Sequence, residues 1–192
     1  MPRPPLLPKI DWKSVFDNAH DFKSWLSTAE FPEAAKQMQS DFESFALTKE
    51  VAHWLENIPG KVHVVCIAED WCGDVTRHVP VLERLAAASS GKINTKYLSR
   101  EENLDLFARY LTNGGEALPK FVFLSANWIE CGNWGPMPLE CKELIARGKA
   151  CNDVSSARVK VSELYRSDSA KDRVVEELLE LIDIASTVSI KH

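Results

Sequence analysis

Lys61-Val62-His63-Val64-Val65-Cys66-Ile67-Ala68-Glu69-Asp70-Trp71-Cys72-Gly73-Asp74-Val75 is the stretch that decides the fold. Its first eight residues are rich in β-branched side chains and nearly all apolar, the composition of a strand buried on both faces. Beyond them, Val75, Val79, Leu82, Leu85 and Ala86 recur at three or four residues and predict a helix. Asp74 suits the start of that helix, because an acid there faces the positive end of the helix dipole. Pro80 falls inside the pattern and predicts a kink. Cys72 therefore stands at a strand-to-helix junction, where the unpaired N–H groups of a helix N-terminus favour a thiolate.

Trp71-Cys72-Gly73, with Pro80 eight residues after the cysteine, resembles the active-site strand and kinked helix of thioredoxins. Ala117-Leu118-Pro119-Lys120-Phe121-Val122-Phe123-Leu124 is similar to the loop and strand that carry the family's cis-proline. Trp134-Gly135-Pro136 and the run Arg109 to Gly115 resemble segments of a thioredoxin-like subfamily. That subfamily has Glu-Asp-Trp-Cys-Gly-Asp at its centre and often lacks the second cysteine. The resemblance spans roughly residues 60–135. It implies that Cys72 is the catalytic thiol and that Trp71, Gly73, Leu118 and Pro119 bind substrate. It also implies a cis peptide before Pro119, with the Leu118 backbone free to pair with an extended peptide. Two departures stand out. Val75 occupies the position of the family's second cysteine, and Cys66 replaces a buried acid six residues before the thiol.

A dithiol enzyme needs its second cysteine to attack the mixed disulfide and release reduced substrate. Val75 cannot do so, and ordinary thioredoxin turnover is not expected. Monothiol exchange with a protein or small-molecule thiol or disulfide remains, with an outside thiol such as glutathione as co-substrate. An alternative is a catalytically degenerate binding module that keeps the groove for a peptide or small thiol. A third reading is a cluster-binding monothiol using Cys72 from two subunits plus glutathione. Glu69, Asp70 and Asp74 crowd negative charge near the sulfur and oppose the helix N-terminus, while Arg77 and His78 offset them, so the expected apparent pKa is about 7–8.5. Cys66 reads as a small buried hydrophobe, with pairing to Cys72 as the alternative. Cys131 and Cys141 read as structural or unpaired.

The chain has 192 residues, enough for one full core, with 28 acids against 23 bases and no basic stripe. Nucleic-acid binding is therefore not expected, and no apolar run approaches the ~20 residues of a membrane span. Met1 to Pro8 reads as a proline-rich arm rather than a secretory signal. Five widely spaced cysteines, including Cys151, point to a reducing cytoplasm. They form no C-x₂₋₄-C pair, and His20, His53, His63, His78 and His192 show no ligand spacing, so neither a metal nor a resident cofactor is expected. Gly114-Gly115 reads as a helix stop rather than a phosphate loop.

Residues 11–58 read as helical, ending at Pro59-Gly60. Their aromatics, including Trp12, Phe16, Phe22, Trp25 and Phe31, read as packing rather than a ligand groove. A strand at 93–98, a helix over 103–111, a hairpin of Phe121–Leu124 with Trp128–Cys131, a short helix from Pro136 to about Gly148 and a helix over 172–185 complete the pattern. Ser169 with Asp172 resembles a capping box. The fold class is α/β: a thioredoxin fold with a central mixed sheet flanked by helices, an N-terminal helical extension (1–59) and a short helical insertion after the hairpin. Residues 60–192 form the thioredoxin-like domain. The first connections are expected to be parallel crossovers and the last two strands an antiparallel hairpin.

Overall fold

A computed structural model describes residues 6–167 and 169–188. Four short helices come first: α1 (Trp12–Asp17), α2 (Phe22–Ser27), α3 (Pro32–Ser44) and α4 (Lys49–Glu56). Each start has a local cause. Asp11, Asp21 and Thr48 accept the N–H of Ser14, Ser24 and Val51, which caps α1, α2 and α4. Pro32 opens α3, where a missing N–H costs nothing.

The sheet is built from β1 (Val62–Ile67), β2 (Ile93–Leu98), β3 (Lys120–Ser125) and β4 (Glu130–Trp134), in the order β2-β1-β3-β4. β1 and β2 run parallel, joined through α5 (Gly73–Ala88), while β3 lies antiparallel to both β1 and β4. Only the first crossover is therefore parallel, which corrects the expectation for the connections that precede the hairpin. β1 and β3 are central. β1 is buried apart from His63, and β3 is buried throughout, as their near-continuous apolar runs require.

α5 carries Pro80 in its interior and is buried over most of its surface, packed by α3, α4 and α9 (Ser169–Thr187) as well as β2. The N-terminal aromatics pack. Trp25 stacks on Tyr97 of β2 with ring centroids 4.7 Å apart, and Phe22 meets both Tyr97 and Phe42 edge-on or tilted. Phe31 is the exception, half exposed.

Three segments differ from their sequence pattern. The expected helix over 103–111 is instead a 3₁₀ turn (Glu101–Asn103), a single α-turn, α6 (Leu104–Phe107), and a second 3₁₀ turn (Ala108–Tyr110). The hairpin's second strand is Glu130–Trp134, not Trp128–Cys131. Trp128 takes a positive φ of 63° in the turn, and its ring stacks on His63 at 4.1 Å. Two helices, α7 (Leu139–Ala150) and α8 (Val154–Tyr165), follow the hairpin where one was expected. Gly148 lets them close, because a Cβ there would meet Asp153 and Ala157. The side chain of Ser169, the first residue of the expected capping box, and the first five residues of the proline-rich arm lie outside the described residues. Among the described residues no helix is long and apolar enough to cross a membrane.

Candidate functional site

Cys72 is the N-cap of α5, in extended conformation (φ −86°, ψ 120°), across a short turn from the buried end of β1 at Ile67. A tight turn sets it there: its N–H donates to the Glu69 carbonyl at 3.1 Å, and its carbonyl accepts the Thr76 N–H at 3.0 Å. The Leu118–Pro119 peptide is cis. The Leu118 carbonyl faces the thiol, and the Sγ–H donates to it at 3.6 Å. Trp71 stands beside the sulfur half exposed, with the Arg100 guanidinium 5.9 Å from its ring centroid. Cys72, Trp71, Leu118 and Asp74 line a shallow depression of about 250 Å³, closed on the far side by Pro136 and Met137. Gly135 brings that far wall in. Its φ is 122°, and a Cβ on it would run into the Pro119 carbonyl.

Burial pushes the Cys72 thiol above its ordinary value. The backbone N–H groups of Val75 and Asp74 pull the other way, and the Asp74 charge adds to the rise. The net direction is upward, which corrects the expected 7–8.5. The helix N-terminus is present, but partial desolvation outweighs it.

The three acids expected to modulate the thiol are held by other partners. Glu69 Oε1 accepts from the Arg100 N–H at 2.6 Å and the Ser99 hydroxyl at 3.0 Å, which fixes the turn after β2. Asp70 is buried and accepts the Phe31 N–H at 2.7 Å, tying the start of α3 to the active-site loop. Asp74 is the one that faces Cys72. Its carboxylate accepts the Tyr165 hydroxyl at 2.8 Å, and burial raises its pKa. The expected cations do not offset the acids at the sulfur. Arg77 lies over the Tyr165 ring, 4.3 Å from its centroid, and donates to the Tyr165 carbonyl. His78 is buried against the Tyr165 hydroxyl at 3.3 Å, and burial, helped by Arg77, drives its pKa down to about 3.

Tyr165 is the residue that sequence reasoning missed here. It ends α8, a helix whose only clear signal is Asp153 three residues before Ser156, the side chain and N–H that form its cap. Thr112, Lys120 and Lys142, which frame the region beyond Met137, were missed as well; nothing in their local sequence marks them.

The other cysteines fall outside the cleft. All five are free. Cys66 is fully buried in β1, opposite Tyr97, with its thiol pushed well up by burial and by Glu83. It does not pair with Cys72. Glu83 brings a buried carboxyl to this part of the core from α5, accepting the Tyr97 hydroxyl at 2.6 Å. Cys131 donates to the Ile129 carbonyl. Cys141 is buried with its pKa pushed up to about 11, by burial first. Cys151 is exposed. No group of three or more His, Cys, Asp or Glu suited to a metal occurs among the described residues.

A family model described as thioredoxin matches residues 20–154. The chain belongs to this thioredoxin family. The match begins at His20, inside the helical extension, so α2, α3 and α4 lie within the family's span along with the sheet. Among solved structures, a protein of unknown function from Pseudomonas aeruginosa is similar, with 16% identity, a TM-score of 0.68, and 91% of this chain and 98% of that one covered. An HIV epitope scaffold is similar to the same extent, with 16% identity, a TM-score of 0.68 and coverage of 91% and 98%. At that identity the likeness shows the fold alone. No curated protein matches the chain.

Proposed function

We propose that this thioredoxin-fold chain is a monothiol binding protein. It takes an extended peptide or small thiol along Trp71, Cys72, Gly73, Leu118 and Pro119, and Cys72 exchanges with a disulfide there only slowly. The observation that carries this reading is the Sγ–H donated to the Leu118 carbonyl at 3.6 Å within an open depression. A half-buried thiol with a raised pKa is mostly protonated at neutral pH, and the thiolate is the nucleophile. The Leu118 carbonyl beside it suits main-chain pairing, and the exposed Trp71 ring offers contact area.

Exchange, where it occurs, runs in two displacements. The Cys72 thiolate attacks a partner disulfide and forms a mixed disulfide, releasing the partner's other sulfur as a thiolate. An outside thiolate, of the glutathione type, then attacks the mixed disulfide, frees Cys72 and carries the partner sulfur away in a new disulfide. Val75 is buried in the core and supplies no internal alternative.

Incubation with oxidised glutathione followed by peptide mass spectrometry tests the reading. An adduct on Cys72 is expected to form slowly, and Trp71→Ala should slow it further while leaving thermal stability nearly unchanged. Reduction of insulin disulfides by dithiothreitol should stay near background. No adduct on Cys72, or one that Trp71→Ala leaves unaffected, moves the site elsewhere, and robust insulin reduction contradicts the slow-exchange reading.

A further inference from the structure

A second, larger cavity opens beside the Cys72 depression. Its volume is about 460 Å³, within the range of small-molecule sites, and it lies between the 112–117 loop and α7. The two cavities share Glu116, Ala117, Pro136 and Met137 as walls. Met137, Leu139, Ile145 and Ala146 give the larger one an apolar floor.

Its two acids and two lysines are not equally partnered. Two acids line it, and both face arginines: Glu116 is held by Arg100 at 2.6 Å, and Glu143 lies 3.9 Å from Arg147. Lys142 and Lys149 also line it, and neither forms an ion pair among the described residues. Glu177 acts on Lys142 from a distance but forms no ion pair with it, its oxygens accepting instead from Trp134 Nε1 at 2.6 Å and the Leu139 N–H at 2.8 Å.

Lys120 adds a third positive charge behind the wall. It is 3% exposed, and its ammonium donates to Thr112 Oγ1 at 2.7 Å and to the Gly135 carbonyl at 3.3 Å, both neutral acceptors. Burying an ammonium without a carboxylate is costly, and burial lowers its pKa to about 8. Because Thr112 Oγ1 accepts from Lys120, its own hydroxyl proton is left to donate elsewhere. Thr112 lines the cavity. A charge-backed hydroxyl donor and an ammonium without an ion pair thus line one cavity with an apolar floor.

We propose that this cavity binds a small carboxylic acid with an apolar body, its carboxylate received by Lys142 and the Thr112 hydroxyl and its body lying along Met137, Leu139 and Ile145. Charge-assisted hydrogen bonds of this kind are the strong ones. The shared walls place such a ligand next to Cys72. The proposal deepens the preceding reading by naming the ligand class, and it rests on that reading only for the approach of a ligand sulfur to Cys72.

The test is calorimetric titration of the full chain with 4-phenylbutyrate and with its neutral amide. Saturable binding of the acid is expected, at least tenfold tighter than the amide. Lys142→Gln and Thr112→Val should each weaken the acid about tenfold, roughly 1.4 kcal/mol, with thermal unfolding confirming that both variants fold. Lys23→Gln, exposed on α2 and outside the cavity, should leave binding unchanged. Cys72→Ser should also leave it unchanged, so the anion site stands or falls apart from the thiol reading. No saturable binding, equal affinity for acid and amide, or an unaffected Lys142→Gln overturns the proposal.

Discussion

On one side of Cys72, Glu69, Asp70 and Asp74 each accept a hydrogen bond within the fold; on the α7 side, Lys142 and Lys149 form no ion pair among the described residues. The first set is adjacent to the thiol in sequence, the second about seventy residues away. The acids fix the loop to β2, to the N-terminal helices and to α8, so their charge goes into positioning the cysteine. Unpaired cations over an apolar floor have no such structural use, and solvent or a ligand must answer them. Adjacency in sequence marks the scaffold around Cys72, and the cations without an ion pair arrive from elsewhere in the chain.

The largest effect expected on the acidic side is a pH dependence of stability. His78 packs against Tyr165 with its folded pKa lowered from 6.5 to about 3, so the folded state resists its protonation. Its contribution is therefore fully present above pH 6.5 and is lost as pH falls from there toward 3. At about 1.4 kcal/mol per unit, the wild type loses about 3 kcal/mol between pH 6.5 and 4 from this group. Asp74, whose carboxyl is pushed up by burial, works in the opposite sense, but it is common to wild type and variant. Urea unfolding of His78→Gln across that range should show a flatter decline. A decline as steep as wild type breaks the Asp74–Tyr165–His78 account.

A somewhat smaller effect is expected from Asp70→Ala. It removes the acceptor of the Phe31 N–H and should cost about 2 kcal/mol in urea unfolding, in the range of hydrogen bonds to charged groups. The pH profile of Cys72 alkylation should not move, because Asp70 is spent on α3. A profile shifted to lower pH in this variant would make Asp70 a modulator of the thiol after all and erase the contrast between the two sides.

Much of the fold was legible because its signals are local. The buried run of β1, the 3.6-residue face of α5 and the Leu118-Pro119 strand entry each declare themselves within ten residues. The neighbourhood of Cys72 was legible to the same extent: the candidate residues Cys72, Trp71, Gly73, Leu118 and Pro119 come from one junction and one loop, and the fold sets the Leu118 carbonyl against the thiol. What the sequence did not show is non-local. The sign of the Cys72 shift depends on how far the folded chain buries the sulfur, and burial of that kind has no sequence pattern. Asp70 reads as a charge beside a thiol until Phe31, 39 residues away, is seen donating to it. α8 was missed because its apolar positions are sparse and its cap is a single Asp-x-x-Ser, and with it went Tyr165. Lys120 reads as an ordinary strand-start lysine, and only the sheet's register buries it.

The central claim is that Cys72 is held as a thiol, a recognition group first and a nucleophile second. Its rate of alkylation by iodoacetamide against pH, followed at the Cys72 peptide by mass spectrometry, tests this most directly. The thiolate fraction rises with pH, so a raised pKa predicts a rate that is low at pH 7 and still climbing above pH 9, with the midpoint above the ordinary thiol value. A midpoint below about 7.5, with fast reaction at neutral pH, would show a stabilised thiolate and contradict the account.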